Sequence, residues 1–345
     1  MLGNTKVAIH GSYFADNYGD TLLVKLMCDM AASVVGQDNV YLAVAGHARE
    51  QRSIGYPVIP VKDRATVTHL IYGGGGYLGE RTGKGLENMS WSFRNYRRHL
   101  SWRGDFSNAK SAVIGAGFGP ISNRLLRRKV RDLLVDAEVV LLRDQESLSF
   151  AEEYGIRHPS MGMCVDVALS LPLSQRSRSG VALHTDNLDA QELETIFEGV
   201  ASAYGRDVLI EIIFDNPPSY SEEAVRKYEA AAQNFDFHGL KFRPYDRFDV
   251  MVDRVSQYSL IITSKLHVGI TCIAQGGRAI SVPTHQKTVR LYRQLGIPQF
   301  CIPRADLTTD RLTATIADAG AFNPNRSVID EGIAKVREAV RNFIR

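Results

Sequence analysis

Short apolar runs alternate along this chain with longer segments of helical periodicity, and the alternation recurs in both halves. In the first half the pattern predicts strands near residues 6–10, 40–45, 69–72, 111–115 and 139–143, and helices near 20–35, 123–136 and 145–154. Several of these strands are continuous apolar runs, as in a parallel sheet covered on both faces. The polar stretch 173–180 reads as a linker. Beyond it, strands near 180–184, 207–214, 260–263 and 279–282 alternate with helices near 190–204 and 221–234, and residues 330–345 form a helical tail. The expected architecture is α/β, with two Rossmann-like domains facing across a cleft, over 1–175 and 180–325, and a C-terminal helix over 328–345.

Residues 260–287 carry the densest chemistry. The strand Leu260-Ile261-Ile262-Thr263 turns through Ser264-Lys265-Leu266-His267 into a small-residue helix that Gly276-Gly277 ends. A second strand over 278–282 stops at Pro283, with Lys287 just beyond. Lys265, His267 and Lys287 thus sit where strands end and a helix begins. There, backbone N–H groups and the helix dipole converge on an anion. The alternative is an ordinary strand–helix turn whose Lys and His are solvated.

The first half has glycine-rich strand ends of its own. In Asn17-Tyr18-Gly19-Asp20, Asn17 or Asp20 suits a helix cap, and Gly19 admits close approach of a ligand. Gly73, Gly74, Gly75 and Gly76 read as a flexible, donor-rich loop for an anionic or sugar group, without the Gly-Lys-Ser/Thr of a P-loop. Gly115-Ala116-Gly117 is expected to begin a third such loop. Arg143, at a strand end, offers a planar fork for a carboxylate or phosphate, or else pairs with Asp144 or Glu146. Asp166, in an apolar segment, suits orienting a cation, accepting a hydroxyl or capping a turn.

Composition narrows the class. Charged residues make up 23% and hydrophobic ones 44% of the 345 residues, ordinary for soluble globular domains and long enough for two cores. No apolar run approaches the roughly 20 residues of a membrane span. Residues 1–6 lead into the first strand without a signal-peptide core, so a cytoplasmic protein is expected. Cys28, Cys164, Cys272 and Cys301 are widely spaced and read as buried reduced thiols rather than metal ligands. A net charge of +3 is too small to imply nucleic acid.

Taken in order, Asn17-Tyr18-Gly19-Asp20, the glycines 73–76, Gly115-Ala116-Gly117, Arg143-Asp144 with Ser147, Asp166 with Ala168, Ser264-Lys265-Leu266-His267, and Lys287 resemble the polysaccharide pyruvyl transferase family. The resemblance implies a GT-B-type fold, its first domain on the acceptor side and its second on the donor side. It implies transfer of a pyruvyl group from phosphoenolpyruvate to a sugar of a surface polysaccharide, or of its lipid-diphosphate-linked precursor, forming a ketal. No cofactor is implied, and no metal. Arg143, Ser264, Lys265, Leu266, His267 and Lys287 become the expected donor site, with His267 and Lys265 catalytic. Asn17, Gly19, Asp20, Gly73, Gly74, Gly75, Gly76 and Gly117 become the expected acceptor-side loops. The family's usual motif is Ser-Arg-Leu-His, and Lys265 stands where that Arg is expected, keeping the charge but losing the bidentate fork.

The implied chemistry suits these residues. Phosphoenolpyruvate carries a carboxylate and a phosphate, which call for several cations and N–H donors. His267, with an ordinary pKa near neutrality, is the expected general acid. Arg94, Arg97, Arg98, His99 and Arg103 are interleaved with Trp91, Phe93, Tyr96 and Trp102, and a second basic run spans 124–131. These runs suit an anionic membrane surface at the inner face of the membrane, a diphosphate-linked sugar, or a solvated face with Arg stems packed on rings. The α/β organisation speaks against nucleic acid. Two other functions fit the same pattern: a GT-B-type glycosyltransferase using a nucleotide sugar, and a catalytically silent sugar-binding protein of the same pathway.

Overall fold

The structure, a computed structural model, describes residues 5–14, 17–79, 86–185, 187–205, 207–235, 237 and 239–345. In chain order the elements begin with β1 (Val7–His10), α1 (Tyr18–Val35), β2 (Val40–Leu42), α2 (Ala48–Ile54), β3 (His69–Tyr72) and β4 (Gly75–Leu78). There follow α3 (Leu86–His99), β5 (Lys110–Phe118), α4 (Arg124–Asp136), β6 (Val139–Leu142), α5 (Gln145–Glu153) and β7 (Met161–Met163). The second series is β8 (Val181–His184), α6 (Ala190–Tyr204), β9 (Ile210–Ile213), α7 (Glu222–Ala232), β10 (Leu240–Arg243) and α8 (Phe248–Val255). It continues with β11 (Leu260–Thr263), α9 (Leu266–Ala274), β12 (Arg278–Ser281), α10 (Gln286–Gln294), α11 (Thr309–Ala317) and α12 (Arg326–Ile344).

Two compact units result. The first gathers β1, residues 20–167 and residues 329–345; the second gathers Asn17–Gly19 and Ala168–Val328. The boundary falls at Val167/Ala168, ahead of the polar stretch read as a linker. Nearly all of α12 belongs to the first unit, where packing explains its place. A Cβ on Gly332 would stand 2.4 Å from Val165 Cγ1, and Phe343 meets the His69 ring edge-on at 5.1 Å.

Each unit is built on a parallel sheet. Among the described residues the first has the order β2-β1-β3-β5-β6-β7, with β4 added on β5, and the second has β10-β9-β8-β11-β12. Both orders reverse direction once, between β1 and β3 and between β8 and β11. In open parallel sheets ligands bind beyond the carboxyl ends of the strands at such a point. Strands β1, β8 and β11 are buried along their whole length, which accounts for their unbroken apolar sequence. Sequence-coded caps set the helix starts. Asn123 accepts the N–H groups of Leu125 and Leu126, Asp144 accepts that of Ser147, and Asp189 with Glu192 forms a capping box on α6.

The glycine-rich strand ends of the first unit differ from the open loops expected of them. Gly75 and Gly76 lie within β4, paired to β5, and Gly115 and Gly117 lie within β5. Gly73, Gly74 and Gly75 are buried. A Cβ on Gly74 would press Leu23 at 3.3 Å, and one on Gly73 would press Met27 at 3.2 Å. Absent side chains here let α1 close on the sheet. The positive φ of Gly115, 78°, marks the register shift between β5 and β6.

Rings fill the reversal point of the first sheet. His10 ends β1 fully buried, its ring 5.4 Å from Tyr72, 4.6 Å from Trp102 and 5.1 Å from His99. Its Nε2 lies 2.9 Å from His99 Nδ1. Burial lowers the pKa of both, helped for His10 by nearby His99 and for His99 by Arg98; His99 falls to about 3. Burial also lowers half-buried His69. Because the folded pKa values are depressed, the unfolded chain takes up protons below about pH 6.5 that the folded chain refuses. Stability should therefore be flat above neutrality and fall from about pH 6.5 downward, by up to about 1.4 kcal/mol per pH unit for each such histidine. Denaturant unfolding between neutral and mildly acidic pH measures this, and His10→Phe with His99→Phe should flatten the slope. An unchanged slope in that variant would refute the assignment.

Candidate functional site

At the reversal point of the second sheet, parallel pairing sets His184, the last residue of β8, level with Thr263, the last of β11. Their side chains meet, with Nδ1 2.9 Å from the threonine Oγ1. Asp215 lies just past the end of neighbouring β9, only 4% exposed. Its Oδ1 is 2.6 Å from Lys265 Nζ and 3.4 Å from His184 Nε2, and it accepts Asn216 Nδ2 at 2.8 Å. Burial acts to raise the pKa of this carboxyl, but His184 and then Lys265 outweigh it and hold the group well below the usual carboxylate range. Asp215 is therefore ionised, and its charge faces that of Lys265.

Lys265 is the N-cap residue of α9. Its extended backbone, φ −116° and ψ 153°, starts the helix; its ammonium has no acceptor to offer the helix N–H groups and instead donates to Asp215. Its N–H donates to Thr263 Oγ1 at 3.1 Å. Leu266 and His267 follow as the first two helical residues. The N-terminal N–H groups of a helix and its dipole make an anion-binding end. Ser264 is buried, donating its N–H to the His184 carbonyl at 2.9 Å. Lys287 is exposed, the second residue of α10.

The segment Asn17–Gly19 completes this side of the unit. Tyr18 donates its N–H to the Asp215 carbonyl at 3.0 Å, and its buried hydroxyl lies 2.6 Å from Thr271 Oγ1. Thr271 in turn donates to the His267 carbonyl at 2.8 Å. Asn17 Oδ1 accepts the Gly19 N–H at 3.0 Å, as a residue capping α1 should. Gly19 lies flat against His267. A Cβ there would stand 2.0 Å from Nδ1 and 2.4 Å from Cγ of the imidazole. The glycine expected to admit a ligand admits the His267 ring instead.

Arg143 and Asp166 belong to the first unit. Arg143 is 5% exposed, with Nη1 3.2 Å from Asp166 and Nε 3.5 Å from Asp144. Its guanidinium covers Gly117, where a Cβ would stand 2.7 Å from Nη2. Asp166 thus orients a cation, and Asp144 is a second carboxylate partner of Arg143. Of the two roles open to Arg143 in the sequence, a fork for an anion or a pair with a neighbouring acid, the structure shows the Asp144 pair, with Asp166 added. Asp20, half-buried in the first turn of α1, and the glycines 73–76 are also in the first unit. Ser264, Lys265, Leu266, His267 and Lys287 share the second unit with Asn17 and Gly19.

Asp215, His184 and Thr271 escaped the sequence reading, and Tyr18 and Thr263 entered it only as members of a motif and a strand. A strand-end aspartate after an apolar run was the available signal for Asp215. Nothing local ties it to Lys265, a partner 50 positions away.

Two substitutions test this arrangement. Asp215→Ala leaves Lys265 and His184 facing a void and should destabilise the fold by about 3 kcal/mol, at the low end for a broken buried pair because Lys265 is partly exposed. Adding Lys265→Met should restore part of that loss; purely additive losses in the cycle would deny the coupling. Gly19→Ala should displace the His267 ring at a cost of about 1–3 kcal/mol. Histidine side-chain NMR resonances should show His267 perturbed and His184 nearly unchanged.

The fold has counterparts among solved structures. UDP-GlcNAc 2-epimerase from Neisseria meningitidis, bound to UDP-GlcNAc, is 8% identical, with 99% of each chain covered and a TM-score of 0.59. UDP-N-acetylglucosamine 2-epimerase from Rickettsia bellii is 10% identical, over 99% of this chain and 96% of that one, at a TM-score of 0.57. S. aureus MnaA with UDP is also 10% identical, with the same coverage, at 0.55. At such identities the likeness concerns fold alone, and it is the GT-B type. Among curated proteins none matches this chain in sequence. The family model for polysaccharide pyruvyl transferase matches residues 17–286, from the Asn17–Gly19 segment to the start of α10. The chain belongs to the polysaccharide pyruvyl transferase family.

Proposed function

We propose that this protein transfers a pyruvyl group from phosphoenolpyruvate to two hydroxyls of one sugar, on a surface polysaccharide or its lipid-diphosphate-linked precursor. The observation that carries the reading is His267, seated by Gly19 in the first turn of α9 beside the Lys265–Asp215 pair. We place the reaction in the cytoplasm, at the inner face of the membrane. Ketal formation is redox-neutral overall, the methylene carbon gaining the hydrogen that offsets the second C–O bond at its neighbour, so phosphoenolpyruvate is a co-substrate and no redox cofactor is needed.

In this reading an anionic end of phosphoenolpyruvate meets the N–H groups opening α9, with Lys265 alongside. His267 gives a proton to the methylene carbon, and a positive charge develops at the adjacent carbon. A sugar hydroxyl attacks there and its proton restores His267. Phosphate then leaves with the electrons of its C–O bond, and a second hydroxyl of the sugar closes the ketal, its proton going to the released phosphate. Asp215 keeps the Lys265 ammonium in place and stays ionised, so Lys265 answers to two anions once the donor is bound. This sharing explains how a lysine serves where the family's usual residue is arginine: its single charge is aimed by a carboxylate rather than by a planar fork.

The reading is tested by phosphate release from phosphoenolpyruvate in the presence of sugar acceptors, with product analysis for the ketal. His267→Asn should leave donor affinity nearly intact and slow turnover by about 10²–10⁴-fold. Lys265→Ala should weaken donor binding, and Lys265→Arg should retain it. Calorimetric binding of a UDP-sugar with no binding of phosphoenolpyruvate would replace this reading with that of a glycosyltransferase.

A further inference from the structure

Helices α3 and α4 pack on each other and divide their residues sharply between inside and outside. On α3, Ser92, Asn95 and His99 are buried, while Met89, Phe93, Arg94, Arg97 and Arg98 are exposed. On α4, Leu126, Val130, Leu133 and Leu134 are buried, while Arg124, Leu125, Arg128, Lys129, Arg131 and Val135 are exposed. Spacings of three and four residues place Arg124, Arg128, Arg131 and Val135 in one stripe of α4. The aromatics interleaved with arginine in sequence part company here. Trp91, Tyr96 and Trp102 pack on the core, and Phe93 stays outside at 62% exposure, with the Arg97 guanidinium 6.0 Å from its ring centre.

We infer that this α3–α4 face docks on an anionic phospholipid surface. Charge is the first argument. Arg94, Arg97, Arg98, Arg124, Arg127, Arg128, Lys129 and Arg131 stand against only Asp132 and Asp136 over residues 89–99 and 124–136, and Asp136 is already paired with Arg103. These segments hold more positive charge than the net +3 of the whole chain, so the remainder is net negative; all of these cations are exposed on this face except Arg127, which turns in to the Ile121 carbonyl and the Tyr154 ring.

Apolar exposure is the second argument. Of nine large apolar side chains exposed among the described residues, four lie on these two helices: Met89, Phe93, Leu125 and Val135. A face meant only for water has no use for them, and a nucleic-acid face needs ring platforms for bases, of which Phe93 alone is outside. At a bilayer the roles agree. Aliphatic tips enter the acyl boundary while arginine stems lie along it and their heads meet phosphates. Beside the stripe, a hollow of about 560 Å³ lined by Arg103, Arg128, Arg131, Asp132, Val135 and Asp136 offers room for headgroups.

Vesicle co-sedimentation tests the inference with the full chain, and it requires neither donor nor acceptor, so its outcome is independent of the proposed reaction. Wild type should sediment with phosphatidylcholine vesicles containing phosphatidylglycerol, should ignore pure phosphatidylcholine, and should be released by high salt. Reversal of Arg124, Arg128 and Arg131 to Glu should weaken binding by roughly a hundredfold, since each basic residue contributes about fivefold near the surface and reversal does more. Phe93→Ala with Leu125→Ala should weaken it about tenfold and reduce its salt resistance. Both variants change exposed side chains, and unchanged unfolding curves would confirm their folds. Folded wild type that ignores phosphatidylglycerol vesicles, or binding that survives the triple reversal, overturns the inference. Tight binding of an oligothymidine with no vesicle binding overturns it in favour of nucleic acid.

Discussion

The second unit is organised around one buried carboxylate. Asp215 holds Lys265 through one side-chain oxygen and faces His184 with the same atom, while its backbone carbonyl receives the N–H of Tyr18. From Tyr18 the connections run to Thr271, from Thr271 to the His267 carbonyl, and from adjacent Gly19 to the His267 ring. A buried anion is tolerable only with cations and donors around it. Meeting that need draws the end of β9, the start of α9 and the start of α1 to one place. The position of His267 is thus a consequence of satisfying Asp215.

The two reversal points make opposite use of the same topology. In the second sheet, strand-end residues His184, Thr263 and Asp215 are polar and connected to the start of a helix. In the first, His10 and Tyr72 are enclosed by Trp102, Tyr77 and His99, and the glycines that follow β3 are taken up by packing. Parallel-sheet order supplies candidate positions for a ligand, but side chains decide which are used.

Much of this was legible in the sequence, for reasons that also mark the limits. β3, β11 and α6 fall where the apolar pattern puts them, since largely buried strands and a capped amphipathic helix write their signals locally. The Ser264–His267 turn was legible because a strand end, a helix start and titratable groups occur together in four residues. Strand β10, with Lys241 and Arg243 in a short run at the sheet edge, carries no such pattern. The glycines at 73–76 and at 19 were readable as close approaches, but not their partners, Leu23, Met27 and the His267 ring, which only the tertiary fold brings near. Likewise the pairing of Arg143 with Asp166, and of Lys265 with Asp215, depends on strand order, which no local periodicity encodes.

A crystal structure of the protein grown with phosphoenolpyruvate tests the central claim most directly. The account predicts phosphate or carboxylate oxygens within hydrogen-bonding distance of the α9 first-turn N–H groups and of Lys265 Nζ, with Lys265 still held by Asp215 and the His267 ring facing the methylene carbon. Phosphoenolpyruvate bound away from α9, or bound there with Lys265 swung clear of Asp215 and His267 turned from the donor, would contradict it.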